Sequence, residues 1–204
     1  MTIKEFSFDL PENLIAQTPA DRRGEDRLLV LKKDTGTLVD QMMTDFASHL
    51  EEGSIVVVNN SKVRKARVYA QSETGGRVEF LFLEENLDHS WNAMVTKTKK
   101  QHVGKRYTFS NADGTYTRTG WITAELEDGT RSIAFEESLD ENFFQTLGHV
   151  PLPPYIKRED SFSDETRYQT IYAQKEGSVA APTAGLHFTQ EILSSIEKKG
   201  CTIV

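Results

Sequence analysis

The sequence predicts an α/β domain, a partial parallel or mixed sheet with helices, interrupted by an inserted antiparallel β-barrel-like domain. Residues 28–31 (LLVL) and 55–58 (IVVV) are apolar runs without alternation, the pattern of strands covered on both faces in a parallel sheet. From Ala66 to about residue 140, short alternating stretches recur between Gly or Asn-Asp turns, as in an antiparallel sheet or small barrel. The segment after it returns to the first texture, which makes the β-rich part an insertion. The two units expected are residues 1–65 with 147–204, and residues 66–146.

Each element has a local reason. Asp9 and Glu12 flank Pro11 as a capping box ahead of Leu14 and Ile15. Thr44 can cap a short helix through Phe46 and Leu50, which Gly53 ends. In the insertion, Gly75-Gly76 and Asp128-Gly129 predict hairpin turns, and NADG at 111–114 another turn. A helix around Asn142 to Leu147 follows, then the stiff elbow VPLPPY, then an apolar strand SVAA at 178–181. The last helix is capped by Thr189, with Phe188 and Leu193 as a hydrophobic staple, and Glu191 and Lys198 complement its dipole. Phe188, Ile192 and Ile196 form its buried stripe. The final CTIV reads as an interior parallel strand, with Cys201 a small buried residue in it; such a strand needs neighbours on both sides, so the chain is expected to be incomplete at its C-terminus.

Composition narrows the function classes. No apolar run approaches the roughly 20 residues of a membrane span, and acids occupy the N-terminus where a signal peptide is apolar, so a cytoplasmic protein without a membrane partner is expected. A single cysteine forms no internal disulfide, and no metal spacing occurs; GxGxxG, GxxxxGK[ST] and HExxH are also missing. The net charge of −7 opposes nonspecific nucleic-acid binding, but cations cluster at Lys62, Arg64, Lys65 and Arg67, and again at Lys97, Lys99, Lys100, Lys105 and Arg106. These clusters read either as a local RNA contact or as charges that keep a sheet edge soluble.

Four groups of residues can carry chemistry. PTAGLH (182–187) joins a strand to the last helix, where α/β folds bind ligands and free N–H groups favour anions. There Thr183 offers a hydroxyl, Ala184 and Gly185 allow close backbone approach, and His187 offers an imidazole for acid–base work; an ordinary loop is the alternative. Asn59 and Asn60 follow the IVVV strand and can bind a polar ligand or simply turn the chain. Tyr155, with Lys157 and Arg158, stands after three prolines, either to stack on a base or in a rigid linker. Arg167 and Tyr168 lie on a ligand-facing edge or an amphipathic strand.

In order, FDLPENLIAQTP, DRLLVL, VVNNSKV, GHVPLPPYI, RYQTIY and AAPTAGLHF resemble the S-adenosylmethionine:tRNA ribosyltransferase-isomerase family of queuosine biosynthesis, from Phe8 to the end of the chain. The resemblance implies transfer and isomerisation of the ribosyl part of S-adenosylmethionine onto 7-aminomethyl-7-deazaguanine at the wobble position of tRNA, giving epoxyqueuosine-tRNA. S-adenosylmethionine is then a consumed cosubstrate, the modified tRNA is the partner, and no metal is needed. A base must remove a proton from the carbon beside the sulfonium, and His187 is the candidate for that step or for protonating departing adenine. Asn59, Asn60, Arg67, Tyr155, Arg167, Tyr168, Thr183, Ala184 and Gly185 are the candidate substrate-binding residues, with Tyr155 or Tyr168 facing the sulfonium. NNSKVRKAR departs from the family pattern: Ser61 keeps a hydroxyl where threonine is usual, and Lys65 replaces a proline, which loosens the approach to the β-rich part. A catalytically inactive tRNA-binding remnant of the family is the alternative expectation.

Overall fold

The computed structural model describes residues 2–204. Two short 3₁₀ turns, Ile3–Phe6 and Glu12–Leu14, open the chain. The expected Asp9–Glu12 capping box does not form: Pro11 holds the cap position without a side-chain bond, and the Glu12 carboxylate pairs with Lys157 instead.

Strand β1 (Arg27–Lys32) pairs antiparallel with β2 (Thr37–Met42) through a turn in which Gly36 adopts φ +66°. This corrects the expectation of a doubly covered parallel strand at 28–31. The hairpin keeps one face outward, and Leu29 and Leu31 are 62% and 58% exposed on it. A four-residue apolar run has no parity of its own, so the run alone could not distinguish the two arrangements. A 3₁₀ helix, Met43–His49, follows; Thr44 lies inside it, and Asp45 caps it by accepting the Met42 amide at 3.1 Å.

The parallel pairings are short. β3 (Ile55–Val56) runs beside the last strand of the chain, and β4 (Ser61–Val63) beside a strand at 175–178. Only the first half of the IVVV run is laddered, and Ile55 and Val57 are 68% and 79% exposed, so burial on both faces is again not observed.

The β-rich segment closes into a six-stranded antiparallel barrel. Its strands are β5 (Arg67–Ser72), β6 (Arg77–Glu85), β7 (Trp91–Val95), β8 (Arg106–Ser110), β9 (Thr117–Glu125) and β10 (Arg131–Phe135). They run β5-β6-β7-β10-β9-β8 around the wall, and β8 pairs back onto β5. Closure removes the sheet edges that an open sheet of this length exposes. Alternation sends Val68, Phe80, Phe82, Phe109, Ile122 and Ile133 inward. Helix α1 (Glu141–Leu147), capped by Asp140 on the Phe143 amide at 3.0 Å, packs Phe143 and Phe144 against Phe82 with ring centroids 5.7 and 5.6 Å apart. β11 (Gly148–His149) then returns the chain alongside the start of β5.

After the proline elbow come α2 (Asp164–Arg167) and β12 (Lys175–Ser178), which is parallel to β4. The strand expected at SVAA is thus displaced upstream onto the polar KEGS, and residues 179–181 lie outside the ladder. The pairing is made by backbone groups, which polar side chains do not prevent. A 3₁₀ helix, Thr183–His187, leads into α3 (Gln190–Lys198), and β13 (Thr202–Ile203) closes the chain parallel to β3. Thr189 accepts the Ile192 amide at 3.3 Å, and Phe188, Ile192, Leu193 and Ile196 pack on Met43 and Ala47 as the expected stripe and staple. Cys201 is buried just ahead of β13, its thiol on the Glu51 carbonyl at 3.2 Å.

Candidate functional site

Three stretches distant in sequence converge beside the 3₁₀ helix Thr183–His187. Gln17 stitches the first to the proline elbow: its amide NH₂ donates to the Tyr155 carbonyl at 3.1 Å, and its side-chain oxygen accepts the Lys157 amide at 2.7 Å. Arg158 donates to the Gln17 carbonyl at 2.9 Å and grips Asp164 with two bonds of 2.6 and 2.8 Å. Asp164 is buried, and the Arg158 guanidinium holds its carboxyl below the usual range, with the Ser161 amide and hydroxyl adding to the effect. This pair anchors α2, which carries Arg167 and Tyr168 to the site.

Arg23 ties α2 to the 3₁₀ helix. Its guanidinium donates to the carbonyls of Thr166 (2.7 Å), Gln169 (2.8 Å) and Leu186 (2.9 Å). Burial, and then the Arg167 charge, push the Arg23 pKa down. Arg167 in turn donates to the Ala20 carbonyl at 2.8 Å. The Gln169 amide plays the part of a strand edge, accepting from Val63 N at 2.9 Å and donating to Val63 O at 2.6 Å.

The convergence leaves two clefts. The smaller, about 260 Å³, is lined by Gln17, Tyr155, Arg167, Tyr168, Thr183 and His187 among others. The larger, about 630 Å³ and mostly apolar, is bordered by Leu28, Phe46, Val56, Asn59, Ala184 and Gly185 among others. His187 borders both. Its Nδ1 lies 2.9 Å from Oδ2 of Asp26, whose side chain is largely buried while the imidazole is half exposed. Burial pushes the Tyr168 and Tyr172 phenols up, so both remain neutral donors at neutral pH.

Of the residues singled out in the sequence, Tyr155, Arg167, Tyr168, Thr183 and His187 therefore share one cleft, and Asn59, Ala184 and Gly185 meet His187 at the other. Asn60 and Arg67 line neither. Asn60 offers its carbonyl to the amides of Gln174 and Lys175, and Arg67 pairs with Glu79 at 3.0 Å and the Leu152 carbonyl at 2.9 Å. Asn59 turns its side-chain oxygen to the Ser61 amide at 2.8 Å. The close approach expected at Gly185 is made by the protein itself: a Cβ there would stand 2.5 Å from the Tyr172 hydroxyl. Gln17 and Asp26 stand inside strings that carry the family resemblance, but nothing local marks them, or Arg23, as site residues, since their partners lie over a hundred positions away. Among the described residues no group of three His, Cys, Asp or Glu could hold a metal, and no helix is long and apolar enough to cross a membrane.

The first basic cluster is consumed internally. Lys62 pairs with Glu176 at 2.8 Å, Lys65 with Glu165 at 2.7 Å, and the Arg64 guanidinium lies 5.2 and 5.1 Å from the ring centres of Trp91 and Phe144.

The sequence matches known proteins over nearly its whole length. The family model described as "queuosine biosynthesis protein" matches residues 3–204. A curated relative from Treponema denticola, named S-adenosylmethionine:tRNA ribosyltransferase-isomerase, is 47% identical over 206 residues, covering 100% of this chain and 59% of the relative. The chain thus spans less than two thirds of that relative's length. A crystal structure of an S-adenosylmethionine tRNA ribosyltransferase from Thermotoga maritima is 28% identical, with a TM-score of 0.37, and the match covers 98% of this chain and 56% of that one.

Proposed function

The chain belongs to the queuosine biosynthesis protein family, and from that premise we propose that it forms the S-adenosylmethionine-binding and proton-transferring part of a tRNA ribosyltransferase-isomerase. The reaction is transfer of the ribosyl moiety of S-adenosylmethionine to 7-aminomethyl-7-deazaguanine in tRNA, with isomerisation to epoxyqueuosine and release of adenine and methionine. The observation that carries the proposal is the His187–Asp26 contact of 2.9 Å at the point where the two clefts meet.

A sulfonium withdraws electrons from the ribose carbon bonded to it, so that carbon yields a proton to a base of modest strength. The Asp26 carboxylate lies within ion-pair distance of Nδ1, and in this reading Nε2 carries the lone pair that accepts the substrate proton. Asp26 then stabilises by its charge the imidazolium that results. In this reading the larger apolar cleft takes the purine ring, with Asn59 at its rim. The smaller cleft holds the sulfonium against the rings of Tyr155 and Tyr168, and Arg167 and Thr183 bind the charged amino-acid end.

The test uses the intact protein with S-adenosylmethionine and tRNA bearing 7-aminomethyl-7-deazaguanine, following adenine release and epoxyqueuosine formation. The expected result is turnover in the native protein and a loss of about 10²–10⁴ in kcat for His187→Ala. A native protein that releases no adenine would refute the activity, and normal turnover by His187→Ala would remove the residue from the mechanism.

A further inference from the structure

The second basic cluster differs from the first. Residues 97–106 hold five cations, Lys97, Lys99, Lys100, Lys105 and Arg106, and no acid, in a protein of net charge −7. All five side chains are exposed, and among the described residues none of the four lysines has an ion-pair partner. Glu136 stands 3.9 Å from Arg106, and Glu125 faces His102 and Arg131 at 3.1 Å each, so two carboxylates border the patch without neutralising the lysines.

The patch is held rigid from beneath. Arg131, buried in β10, donates to the carbonyls of Gln101 (2.7 Å) and Thr98 (3.0 Å), which fixes both ends of the 3₁₀ turn Thr98–Lys100. The buried Gln101 side chain bonds the Tyr107 hydroxyl at 2.6 Å and the Thr96 carbonyl at 3.2 Å. A loop whose only purpose was solubility would not need a buried guanidinium to organise it, given the desolvation that burial costs.

The patch continues onto the outer wall of the barrel. Arg106 on β8 faces Trp121 on β9 in register, its guanidinium 5.4 Å from the indole centre. Alternation places Thr108 and Ser110 outward on the same strand. β8 pairs with β5, where Tyr69 is covered by the Arg77 guanidinium at 3.8 Å, beside a hollow of about 240 Å³ that Gln71, Thr108 and Ser110 also line. Strands β9, β8 and β5, with Arg77 supplied by β6 and also 3.7 Å from Glu159, thus carry two arginine-covered aromatic platforms and two outward hydroxyls, and the lysine loop lies at one end.

We propose that this face, the 97–106 loop with the outer surface of β9, β8 and β5, binds the phosphate backbone and unpaired bases of an RNA. Lysines neutralise phosphates, flat aromatic and guanidinium surfaces stack on bases, and hydroxyls bond sugar or base edges. The outward hydroxyls disfavour an acyl surface. The choice of tRNA as the natural RNA rests on the function proposed above; the surface itself does not.

Equilibrium binding of the intact protein to an unmodified tRNA transcript, and to a short oligouridine, tests the surface. The triple variant K97Q/K99Q/K100Q is expected to bind about tenfold more weakly near 100 mM salt and to lower the slope of log K against log salt by about 2 to 3. Trp121→Ala is expected to lose about tenfold with little change in slope, and Trp121→Phe to restore most of it, since stacking survives. Native affinity in the lysine variant overturns the proposal, as does binding only to phosphatidylserine vesicles with no RNA bound. Adenine release by a native protein whose lysine variant binds RNA normally would refute this surface and leave the enzymatic reading intact. Salt-dependent RNA binding lost in the variant, with no adenine release, would do the reverse.

Discussion

Oδ2 of Asp26 stands 2.9 Å from Nδ1 of His187, joining the loop before β1 to the turn before α3 at the boundary of both clefts. Asp26→Asn removes the carboxylate charge beside the imidazole, and is expected to lower kcat for adenine release by about 100-fold and leave the KM for S-adenosylmethionine nearly unchanged. Steady-state kinetics on the intact protein read this directly. A variant with a raised KM and native kcat would assign Asp26 to binding.

Arg23 is the next test, because three backbone carbonyls within 3 Å depend on one guanidinium. Arg23→Ala leaves those acceptors short of donors in a partly buried place, at a cost of about 2–4 kcal/mol. In thermal unfolding this corresponds to a fall of about 5–15 °C. Arg23→Lys recovers little of it, since an ammonium cannot span the fork of acceptors.

Gly148 marks a place where only hydrogen fits. A Cβ there would lie 2.1 Å from the Lys65 carbonyl oxygen and 2.3 Å from that of Phe144, both backbone atoms. Gly148→Ala therefore forces the α1–β11 junction off β5 and destabilises by about 3 kcal/mol or more. Gly76→Ala, which meets only the Ser72 hydroxyl at 3.3 Å, costs less than about 1 kcal/mol. Chemical denaturation of the two variants separates them.

Acid should loosen α2 once the pH falls below about 4. Asp164 has its carboxyl held below the usual range by Arg158, so its stabilising contribution is complete above the unfolded-state pKa of about 3.9 and is lost as pH falls toward the lower folded value. Unfolding free energy measured from pH 6 to pH 2.5 should fall more steeply in the native protein than in Asp164→Asn, which begins less stable and lacks the titrating group. Parallel curves would contradict the role of the pair.

Legibility in the sequence followed the range of the forces involved. The barrel and α3 were readable because their signals are local: alternation with Gly turns in one, and a cap, staple and four-residue stripe in the other. The arrangement of β1 is not legible locally, because an apolar run carries no parity and its partner, β2, shows only weak alternation. β12 leaves no mark in the sequence, because KEGS has no apolar signature and is recruited by backbone pairing with β4. At the site, PTAGLH and the tyrosines could be found as unusual local strings. Asp26 opens the DRLLVL string that carries the resemblance, yet no local spacing ties it to His187, and Arg23 in ADRRGEDR stands out from its neighbours in nothing.

The pairing of β11 with the start of β5 has a consequence for engineering and evolution. Gly148 sits opposite Val68, and His149 opposite Arg67, so the chain leaves the barrel as an immediate neighbour of the point where it went in. Cross-strand partners in such a ladder are about 5 Å apart at Cα, a gap that a two-residue turn spans. The whole barrel is thus a cassette on a narrow stalk. Its distal hairpins can lengthen without touching that stalk, whereas exchange of the whole barrel must keep Trp91 and Phe144 under the Arg64 guanidinium.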